Sequence, residues 1–242
     1  MVLAADTRAT GGSIVGDKNC EKIHNLAPNI FCCGAGTAAD CDHVTGKVSL
    51  SLALLKILTN YCIVEMIKRQ LELHRLNTHT ENRVQMAALK LTSHAFKYGG
   101  HIGTHLIVGG VDCKGPQLIE CSSDGNMYSN PYHTTGSGSL AAMAILETFY
   151  KENMSKEEAM NICVKAIEAG IYHDLGSGSN VDVCVITRGK VEMFRNLKHD
   201  NSKVFSKPGG YQFRKDRVQV LEEFRHKIVV EQGSALDLMD LS

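Results

Sequence analysis

The 242-residue sequence has no tryptophan, only four prolines and no surplus of either charge, with 26 Lys and Arg against 26 Asp and Glu. Balanced charge without a run of one sign argues against a nucleic-acid arm, a polybasic membrane patch or an acidic disordered tail, so no nucleic acid and no membrane is expected as a partner. Residues 1–15 contain no basic segment followed by an apolar run, and no secretory leader is visible there. The most apolar stretch, Val48 to Ile67, is broken by Lys56 and Glu65 into uncharged runs of eight residues. A bilayer requires roughly 20. None of the nine cysteines forms a CxxC pair, which removes zinc ribbons and thioredoxin-like motifs, and an odd number fits a closed disulfide set poorly. Reduced thiols are the simplest expectation, and with them the cytoplasm or nucleus. HExxH and GxSxG are both missing, and His24, His43, His94, His101 and His105 keep no ligand spacing, so no metal site is assigned and no cofactor is expected.

What is present fits one domain of ordinary size without an internal linker. MVLAAD (Met1 to Asp6) and NIFCCGA (Asn29 to Ala35) are short, apolar and rich in strand formers. From Thr37 to about Asn77 the pattern is helical, but poor in its middle. Val84, Ala87, Ala88, Leu91, Ala95 and Tyr98 keep helical spacing up to Gly99-Gly100. HLIVGGVD and PQLIECSS follow as two buried-type strands around the turn Cys113-Lys114-Gly115. Ser139 opens a helix to about Tyr150, and Ser155 with Glu158 forms a capping box before a second helix that runs to Gly170. Val181 to Arg188 and Lys190 to Leu197 are expected strands. Runs of strands and runs of helices, instead of strict alternation, predict a layered α+β sandwich and not a doubly wound parallel sheet.

Two glycine-serine loops carry the candidate chemistry. Gly136-Ser137-Gly138-Ser139-Leu140-Ala141 matches the loose G-x-G-x-x-A fingerprint, but a second helix follows where that motif needs a second strand, so a tight turn with a helix cap outweighs nucleotide binding. Gly176-Ser177-Gly178-Ser179-Asn180 precedes a strand, and its serines, with those of the first loop, are candidate supports for a catalytic centre. Lys18 and Lys22 have the plain alternative of surface lysines. Asp6 and Asp174 have that of turn or cap residues.

Taken together, ADTRAT (Ala5 to Thr10), DKNCEKIH (Asp17 to His24), PNIFCCGAGTAADCD (Pro28 to Asp42), GSGSLAAMA (Gly136 to Ala144) and AGIYHDLGSGSNVDVCVIT (Ala169 to Thr187) closely resemble the proteasome beta-subunit family, and within it the trypsin-like type of the beta-2 position. The resemblance implies the N-terminal-nucleophile hydrolase fold, a four-layer αββα sandwich, over residues 1–208, with a C-terminal arm over 209–242 whose apolar contacts would be Val218, Val220, Leu221, Phe224, Ile228 and Val229. It further implies a threonine-type endopeptidase in which an N-terminal threonine hydroxyl attacks and its own amine is the base. The expected catalytic residues are Lys22, Asp6 as its partner, the Gly36 N–H as oxyanion donor, and Ser137, Asp174 and Ser177 around the terminal amine. Such an oxyanion donor is worth on the order of 3 kcal/mol. Thr10, Gly36 and Ala38 would pair with an extended peptide. Ala9, Gly34 and Ala38 would leave a deep specificity pocket walled by Cys20 and His24, with Asp42 facing a basic P1 side chain. Expected partners are the other alpha and beta subunits of a stacked-ring core particle and unfolded polypeptide substrate.

Two departures qualify these expectations. The family's threonine and first strand precede the strand of Asp6, whereas this sequence starts at Met1 inside it, so the polypeptide as written is expected to be inactive. A non-catalytic structural beta subunit is the alternative. The second departure is the segment from about Gly46 to Val64, which keeps no single helical face and is read as an insertion.

Overall fold

The computed structural model describes residues 1–11, 14–36, 52–99, 101, 104–198, 207–212 and 221–227. The chain divides into two units, Met1–Lys203 and Val204–Ser242. In the first the elements run β1 (Val2–Asp6), β2 (Ala9–Gly11), β3 (Ile14–Asp17), β4 (Ile23–Ala27), β5 (Ile30–Gly36), α1 (Leu52–Thr78), α2 (Val84–Lys97), β6 (Thr104–Asp112), β7 (Gly115–Cys121), β8 (Met127–Ser129), α3 (Ser139–Phe149), α4 (Lys156–His173), β9 (Val181–Thr187) and β10 (Lys190–Lys198). The described residues of the second unit form neither helix nor strand. Of the apolar residues assigned to the arm, Val218, Val220, Ile228 and Val229 lie outside the described residues.

Two antiparallel sheets dominate: β4-β5-β6-β7-β8, and β1-β9-β10. Successive strand side chains point to opposite faces, and here the alternation builds three separate cores. Ile30 and Cys32 of β5, Leu106 and Val108 of β6, and Ile119 and Cys121 of β7 pack with Ile67 and Leu71 of α1 and with Val84, Ala87, Ala88 and Leu91 of α2. Their neighbours Phe31, Cys33, Ile107 and Leu118 face the other way, against Leu3, Ala5, Cys184 and Ile186 of the second sheet. Val181, Val183 and Val185 on the far face of β9 receive Val164, Ile167 and Ile171 of α4. The layers are therefore α1 and α2, the five-stranded sheet, the three-stranded sheet, and α4 with α3, which is the expected four-layer α+β sandwich.

Helix ends follow local chemistry. Ser155 accepts from the Glu158 N–H while the Glu158 carboxylate accepts from the Ser155 N–H, so the capping box read in the sequence is formed. The segment 46–64 falls partly outside the described residues, and from Leu52 its backbone is helical within α1. The cysteines 33, 113, 121, 163 and 184 are free thiols.

Burying an aliphatic side chain contributes about 1.5–3 kcal/mol, and truncating one adds the cost of a cavity. Ile30 is fully buried between sheet and helices, whereas Leu89 on α2 is half exposed. Ile30→Ala is expected to lower the unfolding free energy of the first unit by about 2–5 kcal/mol, and Leu89→Ala by less than about 0.5 kcal/mol, both read from denaturant midpoints.

Candidate active site

β1 pairs with β9 along its whole length, Asp6 opposite Val181, and this fixes the Asp6 carboxylate at the mouth of the second sheet. Its Oδ1 accepts from Lys22 Nζ at 2.6 Å. Its Oδ2 accepts from the N–H of Gly178 at 3.1 Å and of Arg8 at 3.3 Å. The side chains of Lys22 and Asp6 are only 19% and 14% exposed, so this ion pair is screened less than a surface one. Three segments distant in sequence thus meet on one carboxylate.

The two glycine-serine loops meet through their helices. Gly138 precedes α3, Asp174 follows α4, and a Cβ on Gly138 would lie 3.2 Å from the Gly170 Cα, closer than side chains ordinarily pack. Glycine lets the helix ends approach. Asp174 Oδ2 then accepts from Ser137 Oγ at 2.5 Å and from Ser177 Oγ at 2.7 Å, and Oδ1 accepts from the Gly176 N–H at 3.1 Å. Partial burial pushes the Asp174 carboxyl upward, but these hydrogen bonds together outweigh it and hold the group below its ordinary value. In the same loop Ser179 takes φ 65°, an uncommon conformation outside glycine. The nucleotide alternative fares poorly here, because an anion at the start of α3 would face the Asp174 carboxylate.

Arg8, present in ADTRAT but given no role from the sequence, links the two clusters. Its guanidinium lies over Gly178, where an added Cβ would come within 2.1 Å of Cζ, and its Nη1 donates to the Leu175 carbonyl at 3.2 Å. The bare backbone at Gly178 is what admits the guanidinium. An arginine this close to a serine loop was in the motif, but only the fold shows what it touches. His133 is a second such residue. It lies in the same cavity wall, with Nδ1 3.0 Å from the Glu120 carboxylate.

A cavity of about 890 Å³ brings these groups together. Asp6, Lys22, Ser137 and Ser177 all line it, as do Ala9, Thr10, Cys20 and Gly34 from the expected substrate-binding set. Gly36 ends β5 opposite Thr104, two residues beyond Gly34. His24 sits in β4 opposite Cys32, outside this lining. Ala38 and Asp42 lie outside the described residues. Its other walls include β1 itself, from Met1 to Asp6, the inner faces of α3 and α4, Pro116 to Leu118 of β7 and the segment from Ser129 to Thr135. β1 is the edge of its sheet, with no second strand partner among the described residues. An open strand edge beside a cavity is a template for an added strand. Two thiols in the wall are poor nucleophiles: burial pushes Cys163 up to about 11, and it drives Cys33 up as well.

The proteasome-subunit family model matches residues 1–63 and 61–186. The chain is 43% identical to proteasome subunit beta type-7-B of Arabidopsis thaliana, over 98% of this chain and 81% of the relative. It is 46% identical to proteasome subunit beta type-2 of Saccharomyces cerevisiae, over 92% and 78%. It is 43% identical to proteasome subunit beta type-10 of Mus musculus, over 91% and 74%.

Because the folded-state value for Asp174 is depressed below about 4, the carboxylate stabilises the fold at neutral pH and loses that contribution as pH falls through the lowered value. Thermal midpoints of the parent and of Asp174→Asn are therefore expected to differ near pH 7, with the parent higher, and to converge as acidification protonates the carboxylate.

Proposed function

The chain belongs to the proteasome beta-subunit family, and from that membership we propose that it is the trypsin-like, beta-2-type threonine endopeptidase of a proteasome core particle, cleaving unfolded polypeptides after basic residues. The family carries the N-terminal-nucleophile hydrolase fold, which the four layers match, and its members assemble with other proteasome subunits. The observation that carries the finer reading is the meeting of Lys22 and Asp6 with Ser137 and Ser177, both held by Asp174, on one cavity beside the open edge of β1. An extended segment bearing the nucleophilic threonine pairs with that edge, which brings the terminal residue alongside Lys22.

In this mechanism the terminal amine takes the proton from the threonine hydroxyl as it attacks the scissile carbonyl. The Lys22 ammonium favours the developing alkoxide by charge, and Asp6 keeps the ammonium in place. Asp174, through the hydroxyls of Ser137 and Ser177, orients the amine. The Gly36 N–H donates to the tetrahedral oxyanion. The peptide lies extended along Thr10, Gly36 and Ala38, and its P1 side chain enters a pocket formed by Ala9, Gly34, Cys20 and Ala38, where Asp42 meets the positive charge. The working compartments are the cytoplasm and nucleus, where the nine thiols stay reduced.

We further place residues 46–64 as an insertion into the family pattern. A non-catalytic structural subunit is the competing reading, and nucleophile chemistry separates the two.

A threonine-directed epoxyketone with arginine at P1 is expected to label this subunit in purified core particles on an N-terminal threonine, as identified by mass spectrometry. Particles in which the subunit is present but never labelled would support the structural alternative. Labelling of a chain that begins at Met1 would contradict the mechanism.

A further inference from the structure

Asp182 is the one charged side chain of β9, 1% exposed, and takes no part in the mechanism above. It stands opposite Ala5 on β1 and shares a face with Cys184 and Ile186, so its carboxylate points between the two sheets. A buried carboxylate needs a cation and further donors. Asp182 has both: Arg195 Nη1 donates to Oδ2, and the Asn196 N–H donates to Oδ1 at 2.8 Å.

The sequence around Arg195 is built to reach it. Pairing of β10 with β9 shifts register between Phe194 and Lys198, and Asn196 lies at φ 53°, so the strand turns out of its ladder where Arg195 projects. The other guanidinium nitrogen, Nη2, then donates to Asn19, to the backbone carbonyl at 3.0 Å and to Oδ1 at 3.3 Å. Asn19 belongs to residues 18–22, which join β3 to β4 without strand pairing of their own. That segment carries Cys20 of the cavity wall and Lys22. Thr7 also ties it, its Oγ1 donating to the Lys18 carbonyl and its own carbonyl accepting from the Cys20 N–H, and at the far end the Lys22 carbonyl accepts from the Gly34 N–H at 3.3 Å.

We infer that Asp182 and Arg195 are positioning residues for catalysis: the buried carboxylate fixes the guanidinium, and the guanidinium fixes the 18–22 segment that presents Lys22 to Asp6 and Cys20 to the substrate pocket. A segment left unfixed regains backbone entropy, and a displacement of about 1 Å at a reacting group costs up to about 100-fold in rate. The planar fork of arginine makes both contacts at once, which a lysine ammonium does not.

This inference rests on the peptidase reading, and the test separates the two. Asp182→Leu combined with Arg195→Met replaces the ion pair by apolar groups of similar size, an exchange that often leaves stability unchanged or improved. In core particles carrying this pair of substitutions, amide exchange over residues 18–22 is expected to quicken at least about tenfold. The kcat for a basic-P1 peptide falls about 10- to 100-fold, with KM within about twofold of the parent. Arg195→Lys, which keeps a cation beside Asp182, serves in the same two measurements where the double variant does not assemble, and it reproduces the faster exchange. Unchanged exchange, or faster exchange with parental kcat, overturns the positioning role. If parent particles themselves show no basic-P1 cleavage, the peptidase reading fails, while exchange over 18–22 still reports on whether the contact holds the segment.

Discussion

The site depends on one carboxylate. Asp6 stands where β1 leaves its sheet, and its two oxygens collect the Lys22 ammonium, the Arg8 amide and the Gly178 amide. Without that convergence, the β1 end, the segment before β4 and the loop after α4 would have no common reference. The ion pair is largely withdrawn from solvent, where the loss of either partner leaves a charge without compensation. The sandwich supplies the rigidity: β9 holds β1 by five paired positions from Val2 to Asp6, and valines on the far face of β9 hold α4.

A second carboxylate repeats the logic on the helical side. Asp174 draws two serine hydroxyls and a backbone amide to itself, and the close approach of Gly138 to Gly170 brings those serines within reach. Arg8 ties this cluster to the first by its contact with the Leu175 carbonyl. The cavity between the clusters is bounded by a strand edge, so the geometry suits an extended chain better than a compact small molecule.

Local signals were easy to read in the sequence, and long-range ones were not. The Ser155–Glu158 capping box and the spacing of Val84, Ala87, Ala88 and Leu91 each depend on residues within one or two turns, and both form as expected. Lys22, Asp6, Ser137, Asp174 and Ser177 stand out only through motif resemblance, since neither composition nor periodicity distinguishes them from surface and turn residues. The contacts of Arg8 with Leu175 and of Arg195 with Asn19 join positions 167 and 176 residues apart, for which no spacing rule exists. His24 shows the limit of the motif: its place in β4 opposite Cys32 puts it outside the cavity lining.

The central claim, that Lys22 held by Asp6 is the electrostatic centre of a threonine peptidase, is tested most directly by basic-P1 peptide hydrolysis in core particles whose only change is Lys22→Met. The account predicts that hydrolysis falls by about 10²- to 10³-fold, while the particle assembles and its other peptidase activities stay at parental levels. Basic-P1 hydrolysis that survives the substitution within about threefold would contradict it.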